Sequence, residues 1–247
     1  MATASEHQTS EHQASDPPSH PASHPPQLHV ESTGAGPALV LSHGVGSDTA
    51  VWATVTAKLA SRFTVVAWDQ PGHGQSAALA EASGYGPRLA YACLEQVAAP
   101  FDDVVLVGHS LGGYLSARYA IDHPARVAAL VLLATGPGFR SPDSRAKWNA
   151  DVRRMAEKQG RPETLVGLHE DAHVIDHLRD IACPSLVIVG DGDQAFFGAT
   201  DYIEQRIPGI ERVTLADAGH MAPATHGEEI AELVLDFLTR RGVGLPS

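Results

Sequence analysis

Asp103–Ala120 reads DVVLVGHSLGGYLSARYA. Asp103–Gly108 is a short continuous apolar run, the pattern of a strand buried on both faces. Leu111–Asp122 is rich in small residues and reads as a helix. Between them, Gly108-His109-Ser110-Leu111-Gly112-Gly113 fits G-x-S-x-G in the strand–turn–helix setting that this motif requires. So sharp a turn forces the serine into a strained backbone conformation, and its neighbours must be small. Gly108 and Gly112 let strand and helix approach closely. The hydroxyl is then presented at a helix N-terminus, where negative charge is favoured. Ser110 is therefore the expected nucleophile. His109 flanks it and is expected to point away along the helix start.

Outward from this stretch the same alternation continues. Leu28–Glu31 suggests an edge strand, and Ala38–Ser42, Phe63–Asp69, Val127–Ala134, Ser185–Val189 and Arg212–Leu215 suggest further strands. Helical patterns occupy Thr49–Leu59, Pro87–Ala99 and Glu228–Arg240, the last with Ile230, Leu233, Val234, Phe237 and Leu238 at helical spacing. Continuous apolar strands separated by helices imply an α/β fold with a mostly parallel sheet covered on both faces. Ligands bind such sheets beyond the carboxyl ends of the strands, where the motif-bearing loops converge. Residues 137–178 interrupt the alternation and read as a short helical cap inserted in a domain spanning 28–247.

A serine hydroxyl is a poor nucleophile without a base. Ala218-Gly219-His220-Met221 follows the last strand and precedes the terminal helix, which makes His220 the candidate base. The supporting acid is expected between Ser110 and His220, in Gly190-Asp191-Gly192-Asp193. Asp193 lies further into the loop and suits reaching across to a histidine. Asp191 is nearer the strand end and is the alternative, or could accept loop amides. The oxyanion donors are expected to be the N–H of Leu111 and, from the loop Ser42-His43-Gly44-Val45-Gly46-Ser47, that of Val45. Trp52, Trp148, Phe196, Phe197 and Met221 are substrate-binding candidates from their nearness to these loops. His43 and His73 are expected to bridge loop backbones.

Composition narrows the function classes. A net charge of −12 argues against nucleic acid or an anionic membrane surface as partner. No apolar run approaches the roughly 18 residues of a membrane span. The two cysteines, Cys93 and Cys183, are too few for a disulfide framework and read as buried apolar residues of a cytoplasmic protein. Residues 1–27 repeat Ser-Glu-His-Gln and Ser-His-Pro and carry almost no large apolar side chains, so they are expected to be a disordered tail without a secretory signal. His7, His12, His20 and His24 could collect a soft cation but lack fixed geometry. His169, His173 and His177 would share one face of a helix, and a polar cap face is expected there rather than a metal site.

In their joint order His43-Gly44, Asp69-Gln70-Pro71-Gly72-His73-Gly74-Gln75-Ser76, the Ser110 motif, Gly190–Asp193 and Gly219-His220 resemble the α/β-hydrolase superfamily. The resemblance runs from Leu28 to Phe237. It lies in the branch of small esterases, enol-lactonases, C–C bond hydrolases and cofactor-free perhydrolases. It implies the fold, a Ser110–His220–Asp193 triad, and Val45 and Leu111 as oxyanion donors. It also implies an enzyme that needs no cofactor or metal. Ser at 110 departs from members that use a carboxylate nucleophile on carbon–halogen bonds or epoxides. His109 stands where C–C hydrolases often carry Asn, and Pro71 stands where Arg is usual. The expected substrate is a small or medium carboxylic ester or lactone. C–C cleavage of a vinylogous diketone, acyl transfer to another acceptor, and a non-enzymatic receptor or scaffold are the alternatives.

Overall fold

Seven strands form one sheet in the order β1-β3-β2-β4-β5-β6-β7 in the computed structural model, which describes residues 26–244. They are β1 (Val30–Thr33), β2 (Ala38–Ser42), β3 (Thr64–Trp68), β4 (Val104–His109), β5 (Val127–Leu133), β6 (Ser185–Gly190) and β7 (Glu211–Leu215). Only the edge strand β1 runs antiparallel, against β3. It begins two residues later than expected, because pairing starts at Val30 opposite Trp68. His29 instead ties the chain to the loop beyond β3, its N–H donating to Ser76 Oγ at 2.9 Å. The expected tail at 1–27 lies outside the described residues except for its last two positions.

Period-two alternation divides the strand side chains between two cores. Val40, Val66, Leu106, Leu130 and Val187 face one side. Leu39, Leu41, Val65, Val105, Val107, Val131 and Ile188 face the other. Helices α2 (Pro87–Ala98) and α3 (Leu111–Asp122) cover the first side with Ala90, Leu94, Leu115 and Tyr119. Helices α1 (Ala53–Leu59) and, after it in the chain, Gly227–Arg240 cover the second with Val55, Leu59, Ile230, Val234 and Phe237. Each such side chain, fully buried, contributes about 1.5–3 kcal/mol. That explains why these runs carry few polar residues.

Register sets the strand ends level. Ser42 pairs with both Trp68 and Gly108, His109 with Leu133, and Gly190 with Leu215. The loops after β2, β3, β4, β6 and β7 therefore leave the same edge. From β2 the chain moves outward to β3 and returns on the other side as β4, so β2 and β4 flank the point where the strand order reverses. A crevice forms there in sheets of this kind.

Between β5 and β6 the chain builds α4 (Pro142–Gln159), a 3-10 stretch Pro162–Gly167 and the short α5 (His173–His177). Ser141 caps α4 and Gly160, at φ 63°, ends it. Helix α4 buries only Val152 and Ala156. It is fastened instead by polar ties: Trp148 Nε1–H donates to the Gly167 carbonyl at 2.9 Å, Asn149 Nδ2–H to the His169 carbonyl at 2.7 Å, and His169 N–H to Asn149 Oδ1 at 2.9 Å. After β6 comes α6 (Gln194–Glu204), which the sequence pattern did not announce; only Thr200 and Ile203 on it are buried, so its apolar stripe is thin. The chain closes through α7 (Ala222–Thr225) and α8 (Gly227–Arg240). Among the described residues no helix is long and apolar enough to cross a membrane.

Candidate active site

Ser110 is the single residue between β4 and α3, at φ 52° and ψ −117°. That positive φ is the strained conformation expected of the turn, and the fold pins it from three sides. The Ser110 N–H donates to the Leu133 carbonyl at 2.9 Å. The Ser110 carbonyl accepts Thr135 Oγ1–H at 2.6 Å. A Cβ on Gly112 would run into the Ser42 carbonyl, so α3 approaches β2 this closely only with glycine there. Thr135 was invisible in the sequence, because nothing in the run after β5 marks a hydroxyl that braces a loop twenty-five residues away.

His220 lies in the loop between β7 and α7, with its Nε2 3.2 Å from Ser110 Oγ. Its Nδ1 lies 2.9 Å from Asp193 Oδ2. Asp193 is only 5% exposed and immediately precedes α6. A carboxylate can only accept, so Nδ1 carries the proton and Nε2 is free to accept from the serine hydroxyl. Asp191 is exposed; it holds the turn through its own N–H, donated to the Leu215 carbonyl at 2.9 Å, rather than through its carboxylate.

The loop after β2 lies directly against the nucleophile. A Cβ on Gly44 would sit 2.9 Å from Ser110 Cβ. His43 braces this loop, donating from Nδ1 to the Gly44 carbonyl at 2.7 Å and accepting the Gln70 N–H at Nε2 at 2.9 Å. Burial pushes its pKa down to about 4, so it is neutral and keeps this one tautomer. The buried Asp69 carboxylate accepts the N–H groups of Thr49 and Gln75 at 2.7 and 2.8 Å. Neither the Val45 N–H nor the Leu111 N–H has an acceptor among the described residues.

Phe196, in the first turn of α6, stacks on His220 with ring centroids 4.7 Å apart and planes at 17°. Met221 follows His220 in the chain and is 45% exposed. Trp148 is half open on α4, beside Phe139, and bonded to Gly167, where an added Cβ would come 3.1 Å from Val45 Cγ2. Trp52 is not brought to the site. It is wholly buried in the core beneath α1 and α8, because the 3-10 turn Thr49–Trp52 directs it inward with Val55 and Leu59. Nor do the three cap histidines share a helix face. Helix α5 holds only His173 and His177, while His169 is buried edge-on against Tyr114 and Phe139.

His109 also departs from expectation. Rather than pointing along the helix start, it is buried, and its Nε2 lies 2.8 Å from the His220 carbonyl oxygen. A cleft of about 660 Å³ opens at the opposite, amino-terminal end of the strands, lined by Pro37, Phe101, Asp103 and Gly242 among others. Among the described residues its lining carries no serine, cysteine or histidine.

Comparison with known proteins agrees with this architecture. A profile of the family described as alpha/beta hydrolase fold matches residues 37–164. The pimeloyl-[acyl-carrier protein] methyl ester esterase of Chromobacterium violaceum is 43% identical, over 85% of this chain and 98% of its own. Two solved structures share the fold at 23% identity. An esterase from Thermogutta terrifontis has a TM-score of 0.72, covering 87% of this chain and 93% of its own. The enol-lactonase from Burkholderia xenovorans has a TM-score of 0.68, covering 86% and 96%. The chain belongs to the α/β-hydrolase fold family, as an enzyme of the carboxylic ester hydrolase type.

Proposed function

We propose that the chain hydrolyses small or medium carboxylic esters or lactones through an acyl-enzyme on Ser110. The observation that carries this reading is the continuous relay from Asp193 Oδ2 through His220 to Ser110 Oγ, at 2.9 and 3.2 Å. In the first step Ser110 Oγ attacks the substrate carbonyl while His220 Nε2 takes its proton. Asp193 stabilises the imidazolium without itself taking the proton. The Val45 and Leu111 N–H groups receive the oxyanion, usually the largest catalytic contribution. His220 then returns the proton to the departing alcohol oxygen. In the second step His220 deprotonates a water that attacks the acyl-enzyme, and Ser110 regains its hydrogen. The relatives whose name specifies a methyl ester support a small alcohol as leaving group.

The test is labelling by a fluorophosphonate, followed by turnover of a panel of p-nitrophenyl esters and lactones. Wild-type protein is expected to label at Ser110. Ser110→Ala is expected to keep the fold, lose labelling, and lose turnover by on the order of a million-fold. Retention of a tenth of the activity would sink the assignment.

A further inference from the structure

We propose that His109 is a positioning residue for His220. Donating its Nε2–H to the His220 carbonyl, it sets the base loop in register with the nucleophile that follows it in the chain. The inference rests on the reading of Ser110 as nucleophile.

His109 is the last residue of β4, pairs with Leu133 of β5, and is 1% exposed. Its backbone is thus part of the rigid sheet, one peptide bond from Ser110. The His220 carbonyl is an acceptor only, so the 2.8 Å contact places the single proton of a neutral ring on His109 Nε2. The ring's other nitrogen, Nδ1, is buried and has no partner among the described residues. It faces the loop after β2: a Cβ on Gly44 would come 3.1 Å from Nδ1 and 3.4 Å from Cε1. Burial, with the neighbouring His220, lowers the His109 pKa to about 3, so the ring is neutral at any working pH.

The other supports of His220 all come from the acid side. Asp193 bonds its ring, Phe196 stacks on it, and the Gly192 N–H holds the Ala218 carbonyl at 2.9 Å. These fix the base relative to β6 and α6, not to β4. Among the described residues the only polar links from the Ser110 turn to His220 are the reacting contact itself, at 3.2 Å, and the His109 donor. The rings of His109 and His220 also pack 4.9 Å apart, at 47°. His109 therefore joins the nucleophile turn, the base loop and the oxyanion loop. Displacing a reacting group by about 1 Å can cost on the order of a hundredfold in rate.

Two substitutions separate positioning from packing. His109→Leu fills much of the space without a donor. His109→Gln places an amide N–H where Nε2 stands. Both are compared with wild type at 25 °C, on protein shown to be folded by circular dichroism. The readouts are fluorophosphonate labelling rate and the kcat and KM of an ester. His109→Leu is expected to slow labelling and kcat by about tenfold to a hundredfold, with KM within about twofold. His109→Gln is expected to stay within about threefold of wild type. If Leu and Gln label alike, the donor is irrelevant and the proposal falls. If wild type itself fails to label, the nucleophile reading falls first. Should His109→Leu not fold, nitrogen-15 spectra of wild-type His109 decide. A proton on Nε2 that persists from pH 8 to pH 5 supports the proposal, and a proton on Nδ1 overturns it.

Discussion

Ser110 holds φ 52° although it carries a side chain. Such a conformation costs about 1–3 kcal/mol and persists only where the surroundings over-determine it. Thr135 Oγ1, 2.6 Å from the Ser110 carbonyl, is one of those determinants. Thr135→Val keeps the shape and removes the bond. It is expected to lower stability by about 1 kcal/mol in denaturant titration and to lower kcat several-fold. An unchanged kcat would show that the strain is held without it. The acid assignment separates as cleanly. Asp193 is buried against His220 Nδ1, whereas Asp191 is exposed with its carboxylate unbonded among the described residues. Asp193→Asn is expected to favour the wrong imidazole tautomer and cut turnover by up to roughly ten-thousand-fold near neutral pH. Asp191→Asn is expected to leave turnover intact and stability within about 0.5 kcal/mol, as surface changes usually do. Loss of turnover in Asp191→Asn alone would reverse the roles.

Helix α4 shows how an element can be well formed and yet lightly attached. It spans Pro142–Gln159 with caps at both ends, but buries only Val152 and Ala156. Its polar ties reach the stretch Gly167–His169, and Gly167 in turn borders Val45. Asn149 supplies two of those ties. Asn149→Ala is therefore expected to speed amide hydrogen exchange across 142–159 while leaving the melting temperature of the sheet domain within about 2 °C, since local opening and global unfolding are separate equilibria. Unaltered exchange in α4 would mean that packing, not Asn149, fastens the helix. Element α6 carries the complementary lesson. Its apolar stripe is thin, yet its start is tied to His220, through Asp193 just before the helix and Phe196 in its first turn.

At the scale of the whole molecule, burial of histidines couples folding to pH. Desolvation holds His43 and His169 to about 4 and His109 to about 3, against 6.5 for an exposed imidazole. The folded-state values lie below the unfolded one, so the unfolded chain takes up protons first as pH falls. Their contribution is complete above about pH 6.5 and is lost as pH falls towards 4. Each histidine adds a slope of about 1.4 kcal/mol per pH unit inside that window. Urea midpoints measured at pH 7.5, 6.5, 5.5 and 4.5 are expected to be level at first and then to drop steeply. His109→Gln removes one proton from this linkage and is expected to flatten the drop. A midpoint constant from pH 6.5 to 4.5 would contradict it.

Local pattern was enough for the frame of this protein and for most of the residues that meet at its candidate site. The runs Ala38–Ser42, Asp103–Gly108, Val127–Ala134 and Ser185–Val189 could only be buried parallel strands, because continuous apolar segments that short need cover on both faces. The Ser110 turn declared itself because its geometry demands glycines at fixed offsets. His220 followed from the order of strands. Tertiary structure decided what depends on a partner distant in the chain. Whether Asp193 or Asp191 meets His220 is settled by which carboxylate the loop buries, and the contact spans twenty-seven residues. Trp52 beside a site loop looked like a pocket wall, but an aromatic ring beside a sheet packs wherever the most apolar area can be covered, and here that is the α1–α8 face. His109 and Thr135 gained their roles only through the His220 and Ser110 carbonyls. A backbone carbonyl is present at every residue, so no pattern of side chains can announce which one a distant donor will meet.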